Sequence, residues 1–176
     1  MRFTKTEIPG VLIVDPEPRK DERGAFNRAY CPDEFAAAGI DFTSTQINIA
    51  RSTHLHTLRG MHHKAPGMEE AKFVRCTRGA IFDVAVDLRP DSPTYRRWTG
   101  VLLDHSSMRG LFIPEGCSHG YLTLAPDTDV LYQMSRPFNP EGDRGVRWDD
   151  PAFGIRWPAA PAMINRRDAT YPDFEG

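Results

Sequence analysis

Short apolar runs, each interrupted within a few residues, set the rhythm of this chain. The segment IFDVAVDL, 81–88, puts Phe82, Val84, Val86 and Leu88 at alternate positions, with Asp83 and Asp87 between them. A period of two belongs to an extended strand whose side chains alternate between faces, and here it predicts a strand with its acidic face toward solvent. TQINIAR, AKFVRCT, WTGVLLD, GLFIP, HGYLTLA and DVLYQMS repeat that length and spacing. Seven or more such strands, punctuated by 15 prolines and 14 glycines, predict an all-β sandwich or barrel, closed or doubled so that few edges stay free. Only CPDEFAAAG reads as a helix. Pro32 suits a first helical position, Asp33 and Glu34 the first turn, and Gly39 the left-handed stop.

The 176 residues show no internal repeat or low-complexity linker, which predicts one domain spanning 1–176. The closing stretch WPAAPAMINRRDATYPDF carries Trp157, Met163, Ile164 and Phe174 as apolar anchors, so 158–176 is expected to lie across the sheets as a strap. With 22 basic against 24 acidic residues the net charge is −2, and no basic excess points to nucleic acid or an anionic membrane. The amino end has no apolar leader segment, and no hydrophobic run reaches the roughly 18 residues of a membrane span. Cys31, Cys76 and Cys117 are odd in number and lack CxxC spacing, against a disulfide framework or a zinc knuckle. A cytoplasmic protein is expected.

The chemistry concentrates in TLRGMHHKAPGMEEAKFVRCTRG, 57–79, which carries Arg59, His62, His63 and Lys72. A second polar cluster, IPEGCSHG, holds a Pro-x-Gly-x-x-His turn that aims His119 back toward a barrel mouth. Two readings compete. A metal would draw on His54, His56, His62 or His119 with an oxygen from Glu69 or Glu70. Against it, neighbouring strand residues such as His62 and His63 point to opposite faces, and the cations Arg59 and Lys72 repel a divalent ion. A proton-transfer site needs a base, an anion stabiliser and an acid: His62, Lys72 and Tyr132 supply them, with Asp168 orienting His62 if the strap folds back. Each residue also has a plainer reading, His62 as a half-solvated strand end, Tyr132 and Phe138 as core rings, Asp168 as a surface acid.

The blocks DERGAF, LRGMH, KFVRCTRGAIFDVAVDLRPDSPTYRRW, IPEGCSHGY, LYQMS, GVRWDDPAFGIRWP and RRDA, in this order over roughly residues 5–173, resemble the dTDP-4-dehydrorhamnose 3,5-epimerase family. The resemblance implies a cupin-type jelly roll with a few short helices, a homodimer needing no metal or other cofactor, and a nucleotide-linked 4-keto-6-deoxyhexose as substrate. It implies that His62 is the base that takes the proton alpha to the C4 ketone, Asp168 its partner, Lys72 the support for the enolate oxygen, and Tyr132 the acid on the opposite face. Arg59 matches the diphosphate contact, and Arg23, Gln46, Asn48, His119 and Phe138 match the lining of the substrate or nucleotide pocket. Arg19 and Arg28 depart from the family pattern and add cations near the expected base pocket. Arg28 therefore joins the expected substrate-binding residues, through extra phosphate contacts or a different nucleobase. His63, Lys64 and Ser118 also depart, and His63 is expected to be peripheral. The resemblance also leaves room for an epimerase that inverts C3 or C5 alone; a metal-dependent cupin oxygenase or isomerase and a non-catalytic sugar-nucleotide binder are the other readings.

Overall fold

The computed structural model describes residues 1–175. Among the described residues, fourteen strands fall mainly into two sheets. The first runs in the order β1 (Arg2–Lys5), β2 (Leu12–Asp15), β10 (Gly110–Ile113), β7 (Lys72–Arg78), β12 (Thr128–Met134) and β5 (Gln46–Ser52). The second runs β13 (Asp143–Gly145), β6 (Thr57–Lys64), β11 (Cys117–Thr123), β8 (Ala80–Asp87) and β9 (Trp98–Asp104). These ladders are antiparallel; β14 (Met163–Ile164) pairs with β6 in parallel. A separate hairpin joins β3 (Arg19–Asp21) to β4 (Gly24–Phe26). The all-β expectation holds, and the two sheets form a sandwich with edge strands rather than a closed barrel.

Alternation divides the apolar side chains among three layers. Val74, Cys76, Ile81, Ala85, Val101, Leu103, Leu111 and Val130 pack between the sheets. Outside the first sheet, Phe73 and Phe112 meet Phe35 of α1 (Pro32–Ala37) and Phe42. Six helical residues are too few to persist alone, so Phe35, fully buried with ring centroids 5.1 Å from Phe73 and 5.2 Å from Phe3, is what fixes α1 in place. Outside the second sheet, Met61, Val84 and Val86 are covered by Val146, Phe153, Trp157 and Phe174.

That third layer overturns the expectation that the acidic face of 81–88 meets solvent. Phe82, Val84 and Val86 do share a face, but the carboxy-terminal residues cover it, and the opposite face is the interior. Asp83 and Asp87 are both 0% exposed. Each has partners that make burial tolerable: Asp83 bonds His119, while Asp87 accepts from Arg89, Ser92 and Thr94. These donors outweigh burial and hold the Asp87 pKa down to about 2. Among the described residues no helix is long and apolar enough to cross a membrane.

Candidate active site

Strand β6 carries most of the site. Arg59 and His62 both line one cavity of about 290 Å³, although residues three apart on a regular strand point to opposite faces. The alternation is reset between them. Gly60 has φ +139°, and the β6–β11 register shifts between His119 and Tyr121. A side chain on Gly60 would bring its Cβ to 2.5 Å from the Gly120 Cα, so the irregularity is open only to glycine. Met61 then turns into the outer layer, and His62 and Lys64 return to the cavity.

The strap brings its aspartate to this point. Ala162 and Met163 donate backbone hydrogen bonds to the His56 carbonyl, Met163 and Ile164 pair with Thr57 and Leu58, and α2 (Arg166–Ala169) follows. Asn165 caps α2 by accepting the Asp168 backbone N–H at 2.7 Å. Asp168, 106 positions from His62, then lies with Oδ1 2.9 Å from His62 Nε2 and with Oδ2 accepting the Gly60 N–H at 3.0 Å. Arg167 Nη2 also comes within 3.3 Å of His62 Nε2. That nitrogen cannot serve both neighbours; the closer, anionic carboxylate decides that it carries hydrogen, leaving Nδ1 as the basic atom. Burial works against the Asp168 carboxylate, but the His62 hydrogen bond and charge, the Gly60 N–H and Arg167 outweigh it and hold its pKa below the usual carboxylate range.

Three strands of the first sheet, or the turns beside them, face this pair. Lys72 opens β7 and donates to Glu70 Oε1 at 2.5 Å, both side chains being almost closed off from solvent. Tyr132 on β12 is half-buried; burial raises its pKa, Glu70 adds to the rise, and Arg59 opposes it. Asn48 on β5 accepts from Gln46 Nε2, and Gln46 Oε1 accepts the Phe138 backbone N–H at 2.7 Å. Phe138 stands 56% exposed at the rim, with the Lys64 ammonium 5.0 Å from its ring centroid. His119, the cross-strand partner of His62, bonds Asp83 at 2.7 Å.

A family model described as dTDP-4-dehydrorhamnose 3,5-epimerase matches residues 5–176. The chain belongs to this family. A dTDP-4-dehydrorhamnose 3,5-epimerase of Methanothermobacter thermautotrophicus is 43% identical over 157 residues, covering 89% of this chain and 84% of the relative. Among solved structures, the Bacillus anthracis dTDP-4-dehydrorhamnose 3,5-epimerase with TDP and PPi bound superposes with a TM-score of 0.95 at 31% identity, covering 98% of this chain and 99% of that one. NovW of Streptomyces spheroides, described as a 4-keto-6-deoxy sugar epimerase, gives 0.93 at 37% identity, covering 98% and 87%.

For this member of the epimerase family, the cavity brings together His62, Lys72, Tyr132, Asp168, Asn48, Arg59, His119 and Phe138. Gln46 stands directly behind, bonded to Asn48 and Phe138. Arg23 and Arg28 lie elsewhere: the Arg23 guanidinium is bonded to Asp21 in the exposed β3–β4 hairpin, and Arg28 donates to Glu34 of α1 at 2.6 Å. His54 and His56, on which the metal reading drew, occupy a turn outside the cavity. His63 is not peripheral. It lines the cavity beside Arg144, its cross-strand partner on β13, and burial together with Lys72 and Arg144 lowers its pKa to about 4. The cavity also takes in Tyr121, Asp143, Arg144, Asn165 and Arg167, none of which sequence reasoning singled out. Two of them carried a signal, Tyr121 as the last residue of IPEGCSHGY and Arg167 as the neighbour of Asp168 in RRDA.

Proposed function

We propose that this protein is an epimerase of a nucleotide-linked 4-keto-6-deoxyhexose, of the dTDP-4-dehydrorhamnose 3,5-epimerase kind, inverting C3, C5 or both. The observation that carries the proposal is the bond from His62 to a buried, ionised Asp168 at the wall of a cavity that Lys72 and Tyr132 share. His62 Nδ1 takes the proton alpha to the C4 ketone, and the C–H electron pair moves into the ring and onto the carbonyl oxygen. The Lys72 ammonium stabilises the resulting enolate. Tyr132, kept protonated by its raised pKa, gives its proton to the opposite face, so the carbon inverts; exchange with solvent then restores imidazole and phenol. The reaction exchanges one proton for another and needs no redox partner, and the cationic amine does the work that an ion does elsewhere. Arg59 binds the diphosphate, a role that suits a guanidinium fork, while Asn48, Gln46, His119 and Phe138 shape the sugar and base subsites.

The chain acts as one jelly-roll unit and as a cytoplasmic homodimer in which the amino-terminal segment, with Arg23, reaches the partner's pocket and Arg28 lies near the base. Support comes from β5, an edge strand whose Ile47 and Ile49 are 59% and 66% exposed, and from the projecting hairpin with Phe26 at 72%. Cys76 and Cys117, buried and unpaired, suit a reducing compartment. Incubation with such ketosugars in deuterated water is the test: label at both carbons means a double epimerase, label at one a monoepimerase, and no label with any of them contradicts the assignment. Sedimentation of active enzyme checks the dimer, which a fully active monomer would refute.

A further inference from the structure

Three carboxylates line the cavity: Asp168 serves the proton transfer and Asp143 pairs with Lys64 and with Arg167 of the strap, which leaves Glu70. Alternation through 70–73 explains its place: Ala71 and Phe73 join the aromatic layer around Phe35, so Glu70 and Lys72 turn to the opposite, cavity side. The residues next to them are pinned, because Ala71 donates to Ser135 Oγ at 2.8 Å and accepts from the Ser135 N–H at 3.0 Å. Glu70 is 7% exposed, its Oε1 accepts from Lys72 Nζ at 2.5 Å, and its Oε2 is buried with no partner among the described residues. As a stabilising device this is a poor arrangement. A buried ion pair roughly breaks even against apolar packing, and an unpartnered carboxylate oxygen adds a further cost.

The surrounding charge gives the carboxylate a purpose. From β6, Arg59 and Lys64 face the cavity with His62 and His63; β13 adds Arg144 and α2 adds Arg167. The other acids are engaged: Asp143 by Lys64 at 2.5 Å, Asp168 by His62 and Gly60, and Asp83 by His119. From β11 and β12 come the phenols of Tyr121 and Tyr132, with no opposing charge at neutral pH. Burial, joined by Lys64, brings the Lys72 pKa below its ordinary value, and Glu70, and more weakly Asp143, oppose that fall.

We propose that Glu70 is a positioning residue of this reaction, the fixed countercharge that keeps Lys72 an ammonium and anchors it at the cavity wall, so that the enolate oxygen meets a cation rather than a neutral amine. The proposal rests on the enolate chemistry assigned above, but its electrostatic core can be read without catalysis. In ligand-free protein carrying 13C-labelled lysine, with the Lys72 signal assigned by its loss in Lys72→Met, Glu70→Gln lowers the Lys72 titration midpoint by about one pH unit or more. Glu70→Asp, which keeps the charge, leaves the midpoint near that of the parent protein. In turnover, Glu70→Gln loses roughly 10²-fold in kcat at mildly alkaline pH, with KM little changed, and regains part of the loss as pH is lowered. Equal midpoints in parent and Glu70→Gln, or equal shifts in both variants, overturn the proposal. Should the midpoints move as stated while the parent protein shows no epimerisation, the countercharge stands and the functional assignment falls.

Discussion

His62 and His119 are cross-strand partners, both line the cavity, and each is bonded to an aspartate whose side chain is 0% exposed. The two carboxyls are nevertheless pushed in opposite directions. Asp168 lies under the strap with donors on both oxygens, from His62 and Gly60, and its pKa falls below the usual range. Asp83 lies deep between β11 and β9 with Oδ2 unpartnered among the described residues, and burial raises its pKa despite His119. The imidazoles follow suit: the His62 side chain is 34% exposed to the cavity, that of His119 only 10%. Donor count and depth, more than residue type, separate a pair able to cycle a proton from one that holds its histidine in place.

The comparison can be broken at either pair. The largest effect belongs to His62→Asn, which removes roughly 10²- to 10⁴-fold of kcat with the melting temperature little altered, whereas His119→Asn acts mainly on KM. Steady-state kinetics on both variants checks this; equal losses of kcat would erase the distinction. Asp168→Asn is next, with kcat reduced about 10²-fold because the imidazolium loses its partner. Asp83→Ala instead destabilises the fold by about 1–3 kcal/mol, the cost of stranding a buried donor, as urea unfolding would show.

The smallest effect is the sharpest in sign. The stabilisation from Asp168, whose folded pKa is depressed, is present above the ordinary carboxylate pKa and disappears as acid titrates it. Asp83, raised in the fold, favours the folded state at low pH and erodes stability as pH climbs from the ordinary carboxylate value through its own. Difference melting curves against pH for Asp168→Asn and Asp83→Asn should therefore slope in opposite directions; parallel slopes would show that the two carboxyls share one environment.

Much of this arrangement was legible in the residues. The period of two in 81–88 located β8, and Pro32 and Gly39 bracketed α1, whose helical stretch ends at Ala37 and where Gly39 takes φ +78°. The anchors Met163 and Ile164 form the strand that sets Asp168 beside His62. What stayed hidden depends on contacts distant in sequence. Alternation shows that Asp83 and Phe82 face opposite ways, but not which way is inward; that is decided by Phe153, Trp157 and Phe174 arriving from the far end of the chain. His63 looked peripheral because nothing nearby in sequence reveals that Arg144 of β13 lies across from it and that both line the cavity. Arg23 drew its expected role from the resemblance and Arg28 from a departure that adds a cation, and within this chain their own neighbours, Asp21 and Glu34, hold them.

The central claim is that His62 and Tyr132 serve opposite faces of one sugar ring, and the Tyr132→Phe variant in deuterated water tests it most directly. With the base intact and the acid removed, recovered substrate should gain deuterium at the carbon next to the ketone in its original configuration, with little epimer formed. Epimer appearing at the rate of the parent protein, or recovered substrate free of label, would contradict the two-sided mechanism.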